Sequence, residues 1–517
     1  MAKPQKDNLL LLIQSLSKAE KRAFRIFANR QSSVEEKLFI QLFDYIESTK
    51  IFSEEDLFKR YPQIKKSQLS NIKANLYKQL LSSLRLLYRN KYEDIFIREL
   101  IDSARILHSK GMYAASLDML DKAKKEACNI NDFSLAYAAL DFERRIENQY
   151  ITGSMSQKAE ALKKQSDEWV ETILISNDLS NVSLLLYGLY LKYGYVKDQK
   201  DFDYITSFFS SNMPKVNVKD LKFYDKVYFY QSHVWYCHMI HDFLNYFKYS
   251  MKWVETFNAH SEMIFKDTPL YIKGLHNALN ALYMANKREK FINLFELFKN
   301  FKSTHENSFN ENDLSVYHLV SSIHQLNKVF LTGEYDNGAK DLEGLEKLLK
   351  KNEFNWDYNR ITVFYYKIAC IHFGADDFGK SLTYLNYIIN SPASEIRVDI
   401  QCFARILSLI AHFELGNEVL VSYQIKSVYR FLSNMEDMQG VQKEILNFLR
   451  KTPRMQKSEL KAEFRKLRSK LITFKDHPYE RRPFLYLDII SWLDSKINNT
   501  RIQDEIKKKI GQYSKAL

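Results

Sequence analysis

Apolar positions recur along this chain at helical spacing. In residues 67–88 the series Leu69, Ile72, Leu76, Leu80, Leu84 and Leu87 steps by three and four, which predicts one long amphipathic helix with those leucines facing inward. Leu38, Leu42, Phe43 and Ile46 mark the inner face of another helix upstream. The stretch 361–373 has a different pattern. Val363, Phe364, Tyr365, Tyr366, Ile368, Ala369, Cys370 and Ile371 leave almost no polar side, so this helix is expected to be sandwiched between neighbours. Ser17-Lys18-Ala19-Glu20 and Ser53-Glu54-Glu55-Asp56 read as helix starts, with a hydroxyl placed to receive a free backbone N–H.

A longer rhythm overlies the helical one. Gly111-Met112-Tyr113 separates two apolar-periodic stretches, and Ser116 and Leu120 follow the tyrosine at +3 and +7. Gly333-Glu334-Tyr335 is followed at the same offsets by Gly338 and Leu342. Gly374 leads, after one extra residue, to Phe378, Ser381 and Leu385, with Pro392 closing that helix. Gly153, Gly194, His241-Asp242-Phe243, Asn286 and Gly416 supply further turns. The eight breaks are 42, 41, 47, 45, 47, 41 and 42 residues apart.

This grammar resembles the tetratricopeptide hairpin, in which a Gly-x-aromatic turn joins two helices and small residues let them pack closely. The resemblance covers roughly residues 92–433, and the period exceeds the family's usual 34 residues, so the helices are expected to be longer. It implies an all-α fold: a right-handed α-solenoid of helical hairpins with a period of about 41–47 residues and a concave groove suited to an extended or helical peptide. Gly111, Tyr113, Gly333, Tyr335, Gly374 and Phe378 are the expected repeat-turn residues.

Composition agrees. The 517 residues include only 8 prolines and 13 glycines, against roughly 25 and 35 at average usage, which favours many helices joined by short loops. No apolar run nears the ~18 residues needed to span a membrane. The four cysteines, Cys128, Cys237, Cys370 and Cys402, form no C-x-x-C pair and read as reduced small hydrophobes. A cytoplasmic protein is expected.

Charge changes the picture at the ends. Residues 1–91 carry a net +9 and residues 441–517 a net +10, while 92–440 sum to −6. The expected division is therefore a basic N-terminal helical module (1–91), a tetratricopeptide-like body (92–433) and a basic C-terminal helical cap (434–517). Between Lys59 and Lys91 there are nine Lys/Arg and no acidic residue. Residues 54–76 loosely match a helix-turn-helix: Leu57, Ile64, Leu69 and Ile72 as core, and Lys65, Lys66, Gln68, Asn71 and Lys73 facing out. Phe58 departs from that motif where a small residue is usual, and Pro62 sits in the turn. Lys65, Lys66, Lys73, Lys78, Arg85 and Arg89 are the candidate contacts to nucleic acid or an acidic partner. Residues 450–475 form a basic amphipathic helix with Phe464, Leu467, Leu471 and Phe474 as its stripe. Such a helix either caps the last repeat or meets an acidic surface. A final packing helix is expected over 484–497 with Trp492.

Catalytic signatures do not appear. The chain has no phosphate-cradling glycine loop, no dinucleotide fingerprint, no nucleophile elbow and no H-E-x-x-H. One metal-like grouping occurs: His233, Cys237 and His241 stand at i, i+4 and i+8 on one expected helical face. The apolar neighbours Val234, Trp235, Tyr236, Met239 and Ile240 favour a core role instead, and no cofactor is expected. The expectation is a non-catalytic scaffold that binds a protein or peptide in its groove. The alternative is a nucleic-acid-binding regulator using the basic ends, with the repeats sensing a partner. An enzyme lacking these motifs is the third class. Sequence does not set the oligomeric state.

Overall fold

Helix punctuation by capping groups is carried through into the structure. The computed structural model describes residues 8–29, 34–49, 52–149, 155–305, 308–351, 354, 356–391, 398–434, 440–452, 455–475, 477 and 488–515. Every regular element among them is helical. At the first capping box, the Ser17 N–H donates to Glu20 Oε2 (2.6 Å) and the Glu20 N–H returns to Ser17 Oγ (3.3 Å). Ser53 Oγ accepts the Asp56 N–H at 3.3 Å and opens the next such helix. No described helix is long and apolar enough to cross a membrane.

Packing groups the helices into two units, Met1–Ile173 and Leu174–Leu517. The first holds α1 (Asn8–Ser15), α2 (Lys18–Asn29), α3 (Val34–Ser48), α4 (Glu54–Arg60), a single 3-10 turn (Lys66–Gln68), α5 (Leu69–Tyr88), α6 (Glu93–Ser109), α7 (Tyr113–Asn129), α8 (Phe133–Gln149) and the start of α9 (Met155–Tyr193). One core gathers Phe24, Phe39, Leu42, Phe43, Leu57 and Ile64 against the inner face of α5. A second joins α6, α7 and α8 to Trp169. The boundary expected near residue 91 lies inside this unit, and the one near 433 lies inside the other.

The second unit runs from the rest of α9 through α10 (Gln199–Asn212), α11 (Phe223–Met239), α12 (Phe243–Asn258), α13 (Ser261–Lys266), α14 (Thr268–Met284), α15 (Arg288–His305), α16 (Glu311–Thr332), α17 (Tyr335–Lys340), α18 (Glu343–Lys351), α19 (Tyr358–Gly374), α20 (Phe378–Ile389), α21 (Val398–Glu414), α22 (Glu418–Asn434), α23 (Gly440–Lys451), α24 (Lys457–Lys475) and α25 (Ile489–Asn498) to α26 (Ile502–Lys515). Neighbours in sequence pack as neighbours: α11 on α12, α19 on α20, α20 on α21, α21 on α22. Helices farther apart in sequence also pack, α14 on α16 and α16 on α19.

One turn geometry recurs between these helices. Gly111, Asn131, His241, Asn286, Asp376 and Gly416 all adopt φ between 52° and 75°. At each, the next residue's N–H reaches back to a carbonyl five residues earlier, as from Met112 to Leu107 (3.0 Å) and Asp242 to Cys237 (2.9 Å). The left-handed residue's own N–H bonds three residues back. This Schellman pair satisfies two orphan carbonyls and reverses the chain within three residues. Gly194 and Gly333 make the simpler left-handed stop, each with one bond four residues back.

The small and large offsets after the turn have physical jobs. Ser116 is fully buried, and its hydroxyl donates to the Ala104 carbonyl of the partner helix at 2.8 Å. At Gly338 any Cβ would sit 2.6 Å from Val329 Cγ1. Ser381 is likewise fully buried. The leucines at +7, Leu120, Leu342 and Leu385, are all core.

Three local expectations need correction. Gly374 is not the turn residue: it ends α19, and Asp376 takes the left-handed conformation. Glycine is needed there because a Cβ would come 2.3 Å from the Tyr335 ring. Leu87 does not face inward; it is 42% exposed, because the last turn of α5 runs past the core. The turn at Asn131, only 20 residues after Gly111, is shorter than the rhythm of the other breaks. Gly153 and Pro392 lie outside the described residues, as does the start of the expected 484–497 helix.

Candidate interaction surfaces

The expected N-terminal core forms. Leu57, Ile64, Leu69 and Ile72 are buried together, and Lys65, Lys66, Gln68 and Asn71 are exposed around the 3-10 turn and the start of α5. The six candidate cations do not form one set. Lys65, Lys66 and Lys78 are exposed with no ion-pair partner among the described residues. The Lys73 ammonium lies 4.2 Å from the centre of the Phe52 ring and is half-buried. Arg89 pairs with Glu99 on α6 at 2.8 Å, and Arg85 approaches Asp102 on the same helix at 3.9 Å. The two arginines thus face carboxylates of their own unit.

At the other end, α24 turns its stripe inward: Phe464, Leu467 and Leu471 belong to the core shared with α19 to α23. Its charges point out. Lys466, Arg468 and Lys470 find Glu463, Asp494 and Glu444, while Lys461 and Arg465 are exposed without an ion pair among the described residues. The final helices fold back over the hairpin turns. Arg501 makes a bidentate pair with Asp336 (both contacts 2.7 Å) and reaches Asp376 and the Ala375 carbonyl at 3.1 Å each. Gln503 donates to the same Asp336. Trp492, fully buried, donates its indole N–H to Glu414 at 2.6 Å.

The His233, Cys237 and His241 trio is not brought together as a ligand set. α11 ends at Met239, so His241 leaves the helical ladder and takes the left-handed turn position at φ 62°. The Nδ1 of His233 is committed to the Phe229 carbonyl (2.9 Å), and its ring packs among Phe209, Phe229 and Tyr249. Burial pushes the Cys237 thiol up to about 12, away from the thiolate a metal needs. Among the described residues no three His, Cys, Asp or Glu side chains are grouped for a metal ion.

The structure adds a polar relay that no motif announces. It crosses three stacked helices. Lys367 on α19 donates to Asn327 Oδ1 (2.7 Å); Asn327 Nδ2 lies 3.2 Å from His324 Nδ1 on α16; His324 Nε2 lies 3.0 Å from His276 Nδ1 on α14. An ammonium only donates, so Asn327 must present its oxygen to Lys367 and its NH2 to His324. His324 then accepts at Nδ1 and donates from Nε2 to His276. Both imidazoles are neutral in this chain. Burial, with Lys367, Arg360 and Lys273 nearby, holds His276 down to about 4, and burial with His276 and Lys367 lowers His324 as well. The only sequence trace was two histidines and a lysine scattered over apolar helices.

Two surface hollows differ in lining, the first charged and the second mostly apolar and neutral polar. One of about 200 Å³ lies between α8 and α9 by Arg144, Glu147, Lys158 and Ser166. Another of about 210 Å³ lies beside α16, α17 and α18 near Gln325 and Asp341. Compared with known protein families, curated proteins and solved structures, the chain matches none of them.

Proposed function

We propose that this chain is a non-catalytic scaffold whose helical hairpins stack as a right-handed α-solenoid and hold a protein or peptide partner in the concave groove. The observation that supports this most directly is the recurrence of one Schellman turn between successive helices, with small residues such as Ser116 and Gly338 at the crossings and α14 packed on α16 and α16 on α19. A stack of that kind buries its apolar faces only against adjacent hairpins, and its first helices share one long surface. Lys273 on α14, Gln325 on α16 and Arg360 on α19 are exposed polar positions on consecutive first helices. We take them as the positions to alter in testing for a groove-bound partner.

The test is capture of partners on the tagged full-length chain from lysate of its host, with and without nuclease, read by mass spectrometry. Protein partners that survive nuclease at moderate salt, and that the Lys273→Ala, Gln325→Ala, Arg360→Ala triple variant loses, support the scaffold. Partners that vanish with nuclease overturn it.

A second reading is a nucleic-acid-binding regulator. Its support is the exposure of Lys65, Lys66, Gln68 and Asn71 over a buried helix-turn-helix-like core. It requires affinity that falls steeply with salt, since each phosphate contact releases counterions. Lys65→Glu with Lys66→Glu should then abolish binding while leaving helicity intact.

A further inference from the structure

α5 serves its core with one face only. Leu69, Ile72, Leu76 and Leu80 are buried against α1, α2 and α3. The opposite face runs through Ala74, Tyr77, Lys78, Leu81 and Arg85, at the three- and four-residue steps that align side chains on a helix. All five are exposed, Tyr77 at 37% and Leu81 at 45%. Leu86 is more exposed still, but it lies on another side of the helix.

A single water-facing leucine needs no explanation. Here a tyrosine and a leucine stand one turn apart on one face, with a cation next to each. α5 itself contributes only cations to this face, since no Asp or Glu occurs from Leu57 to Tyr92; the nearby carboxylates belong to α6, where Asp102 stands 3.9 Å from Arg85. Phosphate contacts are made by cations and polar groups and give exposed leucine nothing to bury against. The apolar stripe of a protein helix does, and carboxylates flanking that stripe would meet Lys78 and Arg85. Lys78 has no ion-pair partner among the described residues, and Arg85 reaches Asp102 only at 3.9 Å.

We propose that the open face of α5 docks an acidic amphipathic helix of a partner protein. Tyr77 and Leu81 receive the partner's apolar stripe, and Lys78 and Arg85 pair with carboxylates along its edges. α5 alone carries this inference, which does not rest on the groove reading.

The experiment uses the full chain and two labelled peptides of identical composition and about 18 residues, long enough to form a helix. One places leucines at helical spacing with glutamates on both flanks; the other scatters the leucines. Fluorescence anisotropy should show the striped peptide binding at least about tenfold more tightly, and Leu81→Ser and Lys78→Glu should each weaken it about tenfold, as loss of a central contact does. Circular dichroism and melting of both variants should match the parent, since both positions are exposed. Arg360→Ala should leave the affinity unchanged, and a DNA duplex should not displace the peptide. Equal binding of the two peptides overturns the proposal, as does indifference to Leu81→Ser. Displacement by the duplex, with duplex affinity lost in Lys78→Glu and kept in Leu81→Ser, assigns the face to nucleic acid instead. Loss of the peptide in Arg360→Ala moves the site to the groove and also overturns it.

Discussion

α19 and α5 are both long helices rich in large apolar residues, yet their environments differ. α19 is enclosed by α16, α17, α20 and α21, and Phe364, Ile368, Ala369, Cys370, Ile371 and Phe373 along it are all buried. α5 is covered by α1, α2 and α3 on one side, while Tyr77, Leu81, Leu86 and Leu87 remain in water. α19 can afford apolar residues all round because a neighbour stands on each side. α5 carries the same kind of residue where its own unit places no neighbour. Apolar content therefore reports an internal partner in one helix and, we propose, an external one in the other. The contrast is open to measurement, because a substitution in α19 should act on folding and one on the open face of α5 should act on binding.

The largest effect is expected at Phe364, which is fully buried between stacked helices. Phe364→Ala should lower unfolding stability by about 3–5 kcal/mol, the range for deleting a core ring. Chemical denaturation of the full chain, followed by circular dichroism, measures it. Gly374→Ala should follow at about 3 kcal/mol, the upper end for overpacking, because the added Cβ falls 2.3 Å from the Tyr335 ring. Gly111→Ala is the control: its φ of 75° makes it strained, but a Cβ there meets nothing within 4 Å. It should cost about 1 kcal/mol through backbone strain alone. If the two glycines cost the same, close approach is not what Gly374 supplies.

Much of this was legible in the sequence, for identifiable reasons. Left-handed turns demand Gly or Asn-like residues, so Gly111, Gly194, Asn286, Gly333 and Gly416 mark themselves. Asn131 escaped because its spacing from Gly111 is half that of the other breaks. Gly374 misled because a glycine required by a ring looks in sequence like one required by a dihedral. The core of α5 was readable from period alone, whereas Leu87 was not, because period does not say where the supporting helices end. The basic run could be counted but not divided: only geometry separates Lys65, Lys66 and Lys78 from Arg89, which is engaged by Glu99. The His276–His324–Asn327–Lys367 relay had no signal, since its members come from three helices up to 91 positions apart.

That relay predicts an acid-sensitive body. His276 is held near 4 in the fold, against about 6.5 in the unfolded chain. A depressed folded value means the unfolded state binds protons first as pH falls. The stabilisation is complete above pH ~6.5 and is lost as pH drops from there toward 4. At about 1.4 kcal/mol per pKa unit, about 2.5 kcal/mol should be gone by pH ~4.5. His324 shifts in the same direction and adds to the loss. The discriminating measurement is the difference between parent and His276→Gln in denaturation midpoints from pH 7.5 to 4.5. That difference should shrink as the solution is acidified. If it stays constant across the range, His276 does not titrate between its folded and unfolded states as the buried chain requires.

The smallest stability effect should come from Leu81→Ser, and it decides whether α5 is open. Exposed substitutions away from caps and cores usually change stability by no more than about 0.5 kcal/mol. Leu81 is 45% exposed on the face opposite the core, so the variant should unfold with the parent to within that margin. Loss of exposed apolar area should, if anything, make it more soluble. A cost of about 2 kcal/mol or more would mean that Leu81 is buried in the folded chain in solution, as core leucines are. The face would then already have an internal occupant, and α5 would be enclosed in the same way as α19. A neutral result leaves the face available, and a neutral variant that also fails to hold the striped acidic peptide ties that vacancy to a partner.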